Sequence, residues 1–370
     1  MINTKDFYDY LVKNGMNFFT GVPDSLLANI CACIKENAPE KNNIIAANEG
    51  NAVGIACGYH IATGNYGVVY MQNSGEGNAV NPLLSIADED VYSIPMLLMI
   101  GWRGEPGTKD EPQHKKQGKV TLALLEAMGI EYDILSDDYI SQIDTAAEYM
   151  KTNNKPYALV VRKGTFSEYK VKKESNDYPL TREQALECVL DKIGENDFIV
   201  STTGKTSREI FEIREARGQG HANDFLTVGG MGHTSSIALG MSLGTDKNVY
   251  CIDGDGSFIM HMGSFAVTAD KAGANFKYIL NNNGAHESVG GQPTVGLKID
   301  IPAILKAVGF RHVYTAETAE EIAAGMDMFA KESLCALIIN THQGSRDDLG
   351  RPTVSPQENK ENMMKKFGSR

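Results

Sequence analysis

Short apolar runs alternate with amphipathic segments along the whole chain. The apolar runs end in polar turns and predict β-strands, whereas the amphipathic segments between them predict α-helices. The run Ile94–Trp102 is almost continuously apolar, as expected for a parallel strand that is covered on both faces. Strand and helix alternate throughout, which predicts an α/β fold of two doubly wound parallel-sheet domains with about six strands each. The predicted strands are 17–22, 43–47, 67–72, 94–102, 131–135, 157–161, 197–202, 225–228, one within 249–257, one within 278–284, 311–315 and 334–340. The predicted helices are 4–14, 26–36, 52–64, one that ends at 87, 119–128, 139–151, 181–193, 206–216, one after 233, 263–273, 300–308 and 317–331.

The polarity of the chain changes between the two halves. Residues 164–180 carry few apolar side chains and several charges, which is typical of a linker between domains. We therefore expect a first domain over 1–165, a linker over 166–180, a second domain over 181–345 and a C-terminal tail over 346–370. The tail is predicted to be irregular except for a short terminal helix. Residues 103–118 are predicted to form a polar loop, and loops of this length often carry function.

Composition restricts the class of protein. The 370 residues are 42% hydrophobic and 22% charged, as expected for globular domains with sizeable cores. Six cysteines without C-x-x-C spacing indicate ordinary thiols in a reducing compartment. The first residues do not form a signal-peptide pattern, and no apolar stretch approaches the ~20 residues of a membrane span, so we expect a cytoplasmic protein with no membrane partner. The net charge of −12 argues against nucleic acid as a partner, and an anionic substrate would need a local basic pocket.

Two polar turns follow neighbouring apolar runs in the second half. The first turn is Gly254–Ser257, and Asn282 and Gly284 stand in the second, Asn282 being 27 residues after Asp255. Together with the helix predicted over 263–273 they form one βαβ unit, and ligands bind at the carboxyl ends of parallel strands. A carboxylate, an amide and a backbone carbonyl are hard oxygen donors suited to Mg²⁺ or Ca²⁺, and such a Mg²⁺ usually leaves room for phosphate oxygens. Two turns without a metal are the alternative interpretation.

Two further segments are candidates for ligand contact. Glu49 stands where an apolar strand meets a helix rich in Gly and Ala, so the helix dipole favours its charge, and a sheltered glutamate there could exchange a proton with an aromatic nitrogen. The alternative is a glutamate near a helix N-cap without any chemistry. Gly229-Gly230-Met231 permits close approach of a ligand to the backbone, or it is a loop glycine cluster beside a core methionine.

These motifs resemble those of the thiamin diphosphate (ThDP)-dependent 2-oxo-acid decarboxylases, in the two-domain form without a central domain. Gly254–Ser257 with Asn281-Asn282 is similar to the diphosphate-binding motif of that family, and Ile44–Ala52 is similar to its pyrimidine-domain glutamate motif. Within the family the chain resembles the phosphonopyruvate decarboxylases. The motifs that carry this resemblance are Thr20–Leu27, Gln72–Asn78, Gly101–Gly107, Asp110–His114, Asn281–Pro293 and Asp348–Pro352. Sulfopyruvate decarboxylases share the first, second and fifth in similar form.

The resemblance implies ThDP and Mg²⁺ as cofactors, with a pyrimidine-binding domain over 1–165 and a diphosphate-binding domain over 181–345. It implies that Glu49 hydrogen-bonds N1′ of the aminopyrimidine, that Met231 supports the bent cofactor, and that the Gly229 carbonyl accepts from the 4′-amine. In this family the two domains that share a cofactor come from different subunits, so at least a homodimer with sites at the subunit interface is implied. The implied cofactor-binding residues are Glu49, Gly204, Gly229, Gly230, Met231, Gly254, Asp255, Gly256, Ser257, Asn282 and Gly284, with Asp255, Asn282 and Gly284 as the metal ligands.

Polar residues near the strand ends are candidates for the substrate site. Arg103 could pair bidentately with a phosphonate or carboxylate, or it forms a surface ion pair. Asp24 and His114 could transfer protons, or they are a helix N-cap and a loop histidine. Lys205 and His233 could meet phosphate oxygens, or they are a solvated lysine and a capping histidine. The candidate substrate residues are Asp24, Asn73, Ser74, Arg103, His114, His286 and Ser288, and the candidate catalytic residues are Glu49, Asp24 and His114.

The resemblance implies decarboxylation of a small anionic 2-oxo acid, 3-phosphonopyruvate, to phosphonoacetaldehyde and CO₂ in phosphonate biosynthesis. Sulfopyruvate is the alternative substrate, and the Trp102-Arg103 loop with Asp110–His114 favours the phosphonate. A carboligase usually carries the central domain that this chain lacks. A non-catalytic subunit of the same fold is disfavoured because Glu49, Asp255 and Asn282 are all present.

Overall fold

A computed structural model describes residues 1–171, 175–329 and 332–368. Its contacts divide the chain into two compact units. The N-terminal unit is Met1–Lys173 with Val289–Gln292, and the C-terminal unit is Glu174–Ser288 with Pro293–Arg370. Each unit contains one six-stranded parallel sheet, which confirms the predicted fold class.

The N-terminal unit alternates strands and helices as predicted. Its strands are β1 Phe18–Gly21, β2 Asn43–Ile45, β3 Gly67–Gln72, β4 Leu97–Gly101, β5 Glu131–Ile134 and β6 Tyr157–Val161. Its helices are α1 Thr4–Lys13, α2 Ala28–Asn37, α3 Glu49–Thr63, α4 Glu76–Pro82, α5 His114–Ala127 and α6 Tyr139–Asn153, with a π-helical turn at Leu83–Ala87. Asn48 caps α3 by accepting from the Asn51 N–H, and Gly64 ends it in the left-handed region.

The C-terminal unit repeats this pattern. Its strands are β7 Phe198–Ser201, β8 Asp224–Leu226, β9 Val249–Gly254, β10 Phe276–Asn282, β11 Ala285–His286, β12 Gln292–Pro293, β13 His312–Ala316 and β14 Cys335–Asn340. Strands β11 and β12 have two residues each, and Gln292 of β12 is grouped with the N-terminal unit. Its helices are α7 Arg182–Leu190, α8 Lys205–Ala216, α9 Thr234–Ser242, α10 Asp255–Met260, α11 Ser264–Lys271, α12 Ile301–Val308, α13 Ala319–Phe329 and α14 Pro356–Phe367.

The two large sheets have the same topology. The strand order is β2-β1-β3-β4-β6-β5 in the N-terminal unit and, read from the other edge, β8-β7-β9-β10-β14-β13 in the C-terminal unit. If the six strands of each large sheet are numbered in their order along the chain, both sheets have the order 2-1-3-4-6-5. The ends of the first four strands of each sheet are therefore equivalent places, and most of the candidate residues follow them.

Each sheet is covered on both faces. Along β4, Leu97 and Met99 pack into one apolar cluster while Leu98 and Ile100 pack into another. Such alternation between two buried faces requires a continuously apolar strand, as the sequence of β4 indicated. The six cysteines are all free, and five of them are buried. Among the helices of the described chain, none combines the length and apolarity needed to cross a membrane.

Some predicted elements were wrong in extent. The loop predicted over 103–118 ends earlier, because α5 begins at His114. The first turns of α5 are polar, so the sequence did not indicate a helix there. The polar turn after β9 is the start of α10. The terminal helix α14 is longer than predicted, and its Asn359 caps the edge of the sheet by bonding the backbone of Asp224 and Leu226. The last two positions of the helix predicted over 317–331, and positions 172–174 of the predicted linker, lie outside the described residues.

Candidate functional site

Two buried oxygen donors meet at the carboxyl edge of the C-terminal sheet. Strands β9 and β10 are parallel neighbours with Gly254 opposite Asn281, so Asp255 and Asn282 follow at adjacent positions. Both side chains are buried. A methyl group on Gly296 would lie 2.6 Å from Asn282 Oδ1 and 2.9 Å from Asp255 Oδ2, so the two oxygens face one small space. The structure thus brings these two predicted metal ligands together.

The electrostatics of this pair suit a cation. Asn282 Nδ2 donates to the Gly296 carbonyl at 2.9 Å, which turns Oδ1 inward, where it is buried without a hydrogen-bond partner. Burial raises the pKa of Asp255 to about 6, so the carboxylate is still ionised at neutral pH. No group of three His, Cys, Asp or Glu side chains in the described ranges is arranged to hold a metal. The two facing groups are a carboxylate oxygen and an amide oxygen, which are ligands that a hard cation prefers.

The third predicted ligand, the Gly284 carbonyl, lies in the segment that follows. Gly284 has φ +71°, a conformation that favours glycine, and its carbonyl accepts the Thr294 N–H at 2.9 Å. A carbonyl oxygen has a second lone pair for a cation. The Thr294 hydroxyl donates to Asp255 Oδ2. Thr294 and Gly296 were not predicted from the sequence, because only the fold of residues 293–297 brings them to Asp255.

The predicted cofactor residues of the C-terminal unit surround the start of α10. A methyl group on Gly256 would lie 2.9 Å from the His286 ring and 3.1 Å from Met231 Cε. The Gly232 N–H donates to Ser257 Oγ at 3.1 Å, which ties the glycine-rich turn after β8 to α10. A side chain at position 256 would collide with His286 and Met231, so glycine lets these two side chains pack directly against the start of α10. The sequence predicted Gly229, Gly230, Met231, Gly254, Gly256 and Ser257 as cofactor-binding residues and His286 as a substrate residue.

The segment that carries His286 and Ser288 is held by charged groups. Burial lowers the pKa of His286 to about 4, so its imidazole is neutral at physiological pH. Arg182 donates to Glu209 at 2.6 and 2.7 Å and to Glu287 at 2.6 Å. Lys205 donates to Glu287 at 3.3 Å, so this lysine already has a carboxylate partner. Arg182 and Glu287 were missed because their pairing joins distant parts of the chain.

Two smaller contacts complete the C-terminal group. A methyl group on Gly204, which has φ +95°, would lie 2.9 Å from Ser288 Oγ, so these two predicted residues are neighbours. His233 stacks on His261 with ring centroids 4.6 Å apart. The stacking on His261 assigns no chemistry to His233, and the contact with Glu287 assigns none to Lys205.

Glu49 is buried at the first position of α3 in the N-terminal unit. Its Oε2 accepts from Asn78 Nδ2 at 2.7 Å. A methyl group on Gly75 would lie 2.3 Å from Oε1, so glycine at that position leaves room for the carboxylate. The start of α3 provides a favourable dipole for the negative charge. Glu49 is therefore a fixed, sheltered carboxylate, as its predicted role requires.

Asp24 is a second buried carboxylate, at the carboxyl end of β1. Its Oδ2 accepts from the Leu26 N–H at 2.9 Å, whereas Oδ1 is buried without a hydrogen-bond partner. Burial raises the pKa of Asp24 to about 6 against the opposing effect of that N–H and of Arg103. Asp24 thus acts as a local cap and also retains a carboxylate oxygen that titrates near neutral pH, which suits a proton-transfer group.

Arg103, Asp110 and His114 form one cluster beyond the end of β4. Arg103 binds Asp110 through Nη2 at 2.6 Å and Nε at 2.9 Å, and its Nη1 donates to Ser25 Oγ at 2.7 Å. His114 Nδ1 lies 2.9 Å from Asp110 Oδ1. Burial lowers the pKa of His114 in spite of Asp110, so the imidazole is neutral at pH 7. The loop residues predicted to meet substrate are therefore assembled around an acid that was not predicted.

Asn73 and Ser74 follow β3 and have local partners. The Asn73 amide donates to the Arg103 carbonyl at 2.8 Å and accepts from the Arg103 N–H at 3.2 Å. Ser74 accepts from Gln72 Nε2 at 2.5 Å. Asn73 therefore braces the start of the Arg103 loop, and this contact accounts for its burial without substrate.

Glu76, at the start of α4, is a buried acid that the sequence did not reveal. Its side chain is 2% exposed, Oε1 has no hydrogen-bond partner, and burial raises its pKa to about 8 against a hydrogen bond with Thr121. It lies in a polar, glycine-rich stretch, which in a sequence indicates solvent exposure.

Family models match both units of the chain. The N-terminal TPP-binding domain of thiamine pyrophosphate enzymes matches residues 3–125, and the C-terminal TPP-binding domain of the same enzymes matches residues 202–339. Each half of the chain thus matches a cofactor-binding domain of these enzymes.

Individual relatives align over nearly the whole chain. Phosphonopyruvate decarboxylase of Streptomyces hygroscopicus is 32% identical over 97% of this chain and 92% of its own length. The enzyme of the same name from Streptomyces viridochromogenes is 31% identical over 97% of this chain and 93% of its own. Sulfopyruvate decarboxylase of Methanosarcina acetivorans is 26% identical over 95% and 94%. The chain therefore belongs to the phosphonopyruvate decarboxylase family and is a ThDP-dependent decarboxylase.

Proposed function

We propose that the chain decarboxylates 3-phosphonopyruvate to phosphonoacetaldehyde and CO₂, with ThDP and Mg²⁺, in phosphonate biosynthesis. The observation that carries the proposal is the 32% identity to a phosphonopyruvate decarboxylase over 97% of the chain. The arrangement of Asp255 and Asn282 supports the metal, because their buried oxygens face one space.

The residues present suit the cofactor. Asp255, Asn282 and the Gly284 carbonyl would hold Mg²⁺, and the backbone around Gly256 would accept the diphosphate. When bound, ThDP supplies an acceptor for the electron pair that is released as CO₂ leaves. Glu49 would share a proton with N1′ of the aminopyrimidine, and its bond from Asn78 fixes the carboxylate for that exchange.

The N-terminal unit would supply the groups that bind and protonate substrate. Arg103 uses one N–H of each terminal nitrogen in its contacts with Ser25 and Asp110, so each of these nitrogens has a second N–H for an anionic oxygen. Asp24 and His114 are the candidate proton carriers. A dianionic phosphonate gains more from a guanidinium than a monoanionic sulfonate does, because the Coulomb attraction scales with charge.

Assay of both substrates tests this proposal. The holoenzyme would be given phosphonopyruvate or sulfopyruvate, and the aldehyde product would be reduced by a coupled NADH-dependent enzyme. We expect a higher kcat/KM with phosphonopyruvate, and we expect activity to require both ThDP and Mg²⁺. Asn282→Ala is expected to abolish turnover, whereas Asp270→Asn, a change of an exposed acid in the same unit, is not. Preference for sulfopyruvate, or turnover without ThDP and metal, contradicts the proposal.

We also propose a homodimer in which subunits complete each other's sites, as the family resemblance implies. The helices α3 and α9 follow the second strand of their sheets and expose matching patterns of small and apolar residues. Ile61 on α3 and Leu243 at the end of α9 are 74% and 65% exposed. Gly54 and Gly58 are exposed and stand seven and three residues before Ile61. Ser236 and Gly240 are exposed and stand seven and three residues before Leu243. Exposed apolar stripes of this kind support an interface.

Sedimentation of single variants tests the dimer. Ile61→Glu or Leu243→Glu is expected to give monomers without decarboxylase activity, because a buried unpaired carboxylate opposes association. Ile140→Glu, at an exposed apolar position on α6, serves as the control and should remain dimeric. A monomeric wild-type protein that is fully active would contradict this proposal.

A further inference from the structure

Asp110 is the centre of the cluster that contains Arg103 and His114. Four N–H groups donate to its carboxylate, and the imidazole of His114 lies within hydrogen-bond distance of it. Oδ2 accepts from Arg103 Nε at 2.9 Å and from the Gly104 N–H at 2.8 Å. Oδ1 accepts from Arg103 Nη2 at 2.6 Å and from the Glu111 N–H at 2.8 Å, and it lies 2.9 Å from His114 Nδ1.

We infer that Asp110 is a positioning residue that fixes His114 in its Nδ1–H tautomer and holds Arg103 in place as part of the same rigid cluster. The inference rests on the proposed function, in which His114 carries a proton and Arg103 binds the substrate anion. It adds a residue to that site and states the form in which the imidazole acts.

The tautomer follows from the charge state of Asp110. Partial burial opposes ionisation, but the hydrogen bonds from Arg103 and His114 hold the pKa of Asp110 well below its ordinary value. The carboxylate therefore only accepts, and the proton of a neutral His114 must be on Nδ1. Nε2 is then the nitrogen that can accept a proton. An imidazole free in water has no such constraint on its tautomer.

The same carboxylate fixes the orientation of Arg103. Bidentate contact through Nε and Nη2 determines the plane of the guanidinium, and the contact of Nη1 with Ser25 determines its third corner. The amide of Asn73 bonds both backbone polar groups of Arg103. An arginine held in this way loses little side-chain entropy when an anion binds. Asp110 thus links the proton carrier to the anion-binding group through one side chain.

Asp110→Asn tests the positioning of His114 and Arg103 with little change in the shape of the side chain. Each oxygen of Asp110 accepts from two N–H groups besides the imidazole, so these contacts leave both orientations of the amide open, and in one of them the NH₂ group takes the position of Oδ1. The NH₂ group would then donate to His114 Nδ1 and force the proton to Nε2. A tautomer change of this kind is a known consequence of replacing the aspartate beside a catalytic histidine.

The test reads the tautomer directly. Holoenzyme labelled with ¹⁵N-histidine would be examined by two-bond ¹H–¹⁵N correlation, with His114→Gln used to assign the signal among the eight histidines. We expect only the Nδ1–H pattern in the wild type, and we expect the Nε2–H pattern to appear in Asp110→Asn from the orientation in which the amide NH₂ group faces His114. Glu111→Gln is the matched control, since the backbone N–H of residue 111 still reaches Asp110, and it should retain the wild-type pattern. Fluorescence of the single tryptophan, Trp102, reports whether each variant is folded.

Kinetics provide the second measurement. We expect Asp110→Asn to lower kcat at least a hundredfold in the wild-type background and less than tenfold in the His114→Gln background, because the residue acts through His114. An Nε2–H tautomer in the wild type, an unchanged tautomer in folded Asp110→Asn, or equal losses in both backgrounds would overturn the inference. The tautomer is read without substrate, so an enzyme inactive on phosphonopyruvate but with the expected tautomers would refute the proposed substrate and leave the positioning role intact. If Asp110→Asn does not fold, Asp110→Glu with a displaced His114 signal and reduced kcat supports the inference, and an unaltered signal and kcat refute it.

Discussion

The buried Glu76 predicts a distinctive dependence of stability on pH. Burial raises its pKa from an ordinary value of 4.5 to about 8, so the folded chain binds this proton more tightly than the unfolded chain does. The contribution of Glu76 to stability is therefore complete below pH 4.5 and is lost as the pH rises through about 8. At about 1.36 kcal/mol for each unit of pKa, the loss between pH 5 and pH 8 is ~3 kcal/mol.

Glu76→Gln measures this quantity, because glutamine has a similar shape and does not titrate. The free energy of unfolding would be obtained from urea denaturation at several pH values between 5 and 8. Trp102 is buried in the same unit as Glu76, so its fluorescence follows the relevant transition. The difference in unfolding free energy between variant and wild type cancels the other titrating groups and should increase by ~3 kcal/mol over this range in favour of the variant.

The control is Ser141→Ala, at an exposed position of the same unit, for which the difference should not change with pH because no titratable group is altered. A difference for Glu76→Gln that stays constant from pH 5 to pH 8 would mean that the carboxyl is ionised in the folded protein. Water or a cation would then have to reach Oε1, and the argument from burial would fail.

Three substitutions give further expectations. Gly296→Ala should weaken Mg²⁺ binding in the presence of ThDP at least tenfold by titration calorimetry, because the methyl group would occupy the space that the two proposed ligand oxygens face. Gly75→Ala should lower kcat at least tenfold in the decarboxylase assay, because the methyl group would displace the Glu49 carboxylate. Arg182→Met should destabilise the C-terminal unit by about 3–5 kcal/mol in urea denaturation followed by circular dichroism, because it leaves Glu209 buried and unpaired.

Each of these has a matched comparison. Gly263→Ala and Gly77→Ala add a methyl group where no other atom lies within 4 Å, and both should behave as wild type. Adding Glu209→Gln to Arg182→Met should recover most of the lost stability, since residue 209 then carries no charge and Glu287 keeps Lys205 as its partner. Unaltered Mg²⁺ affinity, unaltered kcat, or a loss that Glu209→Gln does not reverse would each refute the corresponding argument.

The sequence predicts the layers of this fold better than its topology. The wholly buried strands β4 and β6 are continuous apolar runs, which is the local mark of a covered parallel strand. The insertion of β6 between β4 and β5 depends on pairing between distant residues, which no local pattern encodes. The only sequence signal is in β5, where Glu131 and Asp133 are polar, as an edge strand permits.

The candidate site divides in the same way. Asp255 and Asn282 could be paired from sequence because their strands are consecutive and neighbouring strands of one sheet often follow each other. Asp110 and His114 are four residues apart, but Asp110 precedes α5, which begins at His114, so helical periodicity does not predict their contact. Glu76 could not be recognised as buried, because its burial depends on the packing around α4 and α5 rather than on its neighbours in the chain.

The recurrence of one strand order in both units has a consequence for how this scaffold can change. In each unit the connection after the fourth strand is long and mostly without helix, and it holds Arg103 and Asp110 in one unit and His286, Thr294 and Gly296 in the other. These two connections can acquire insertions and substitutions without altering the strand pairing of either six-stranded sheet. Evolution, or a designer, could therefore exchange the proposed reacting groups at two equivalent positions while both cores remain untouched.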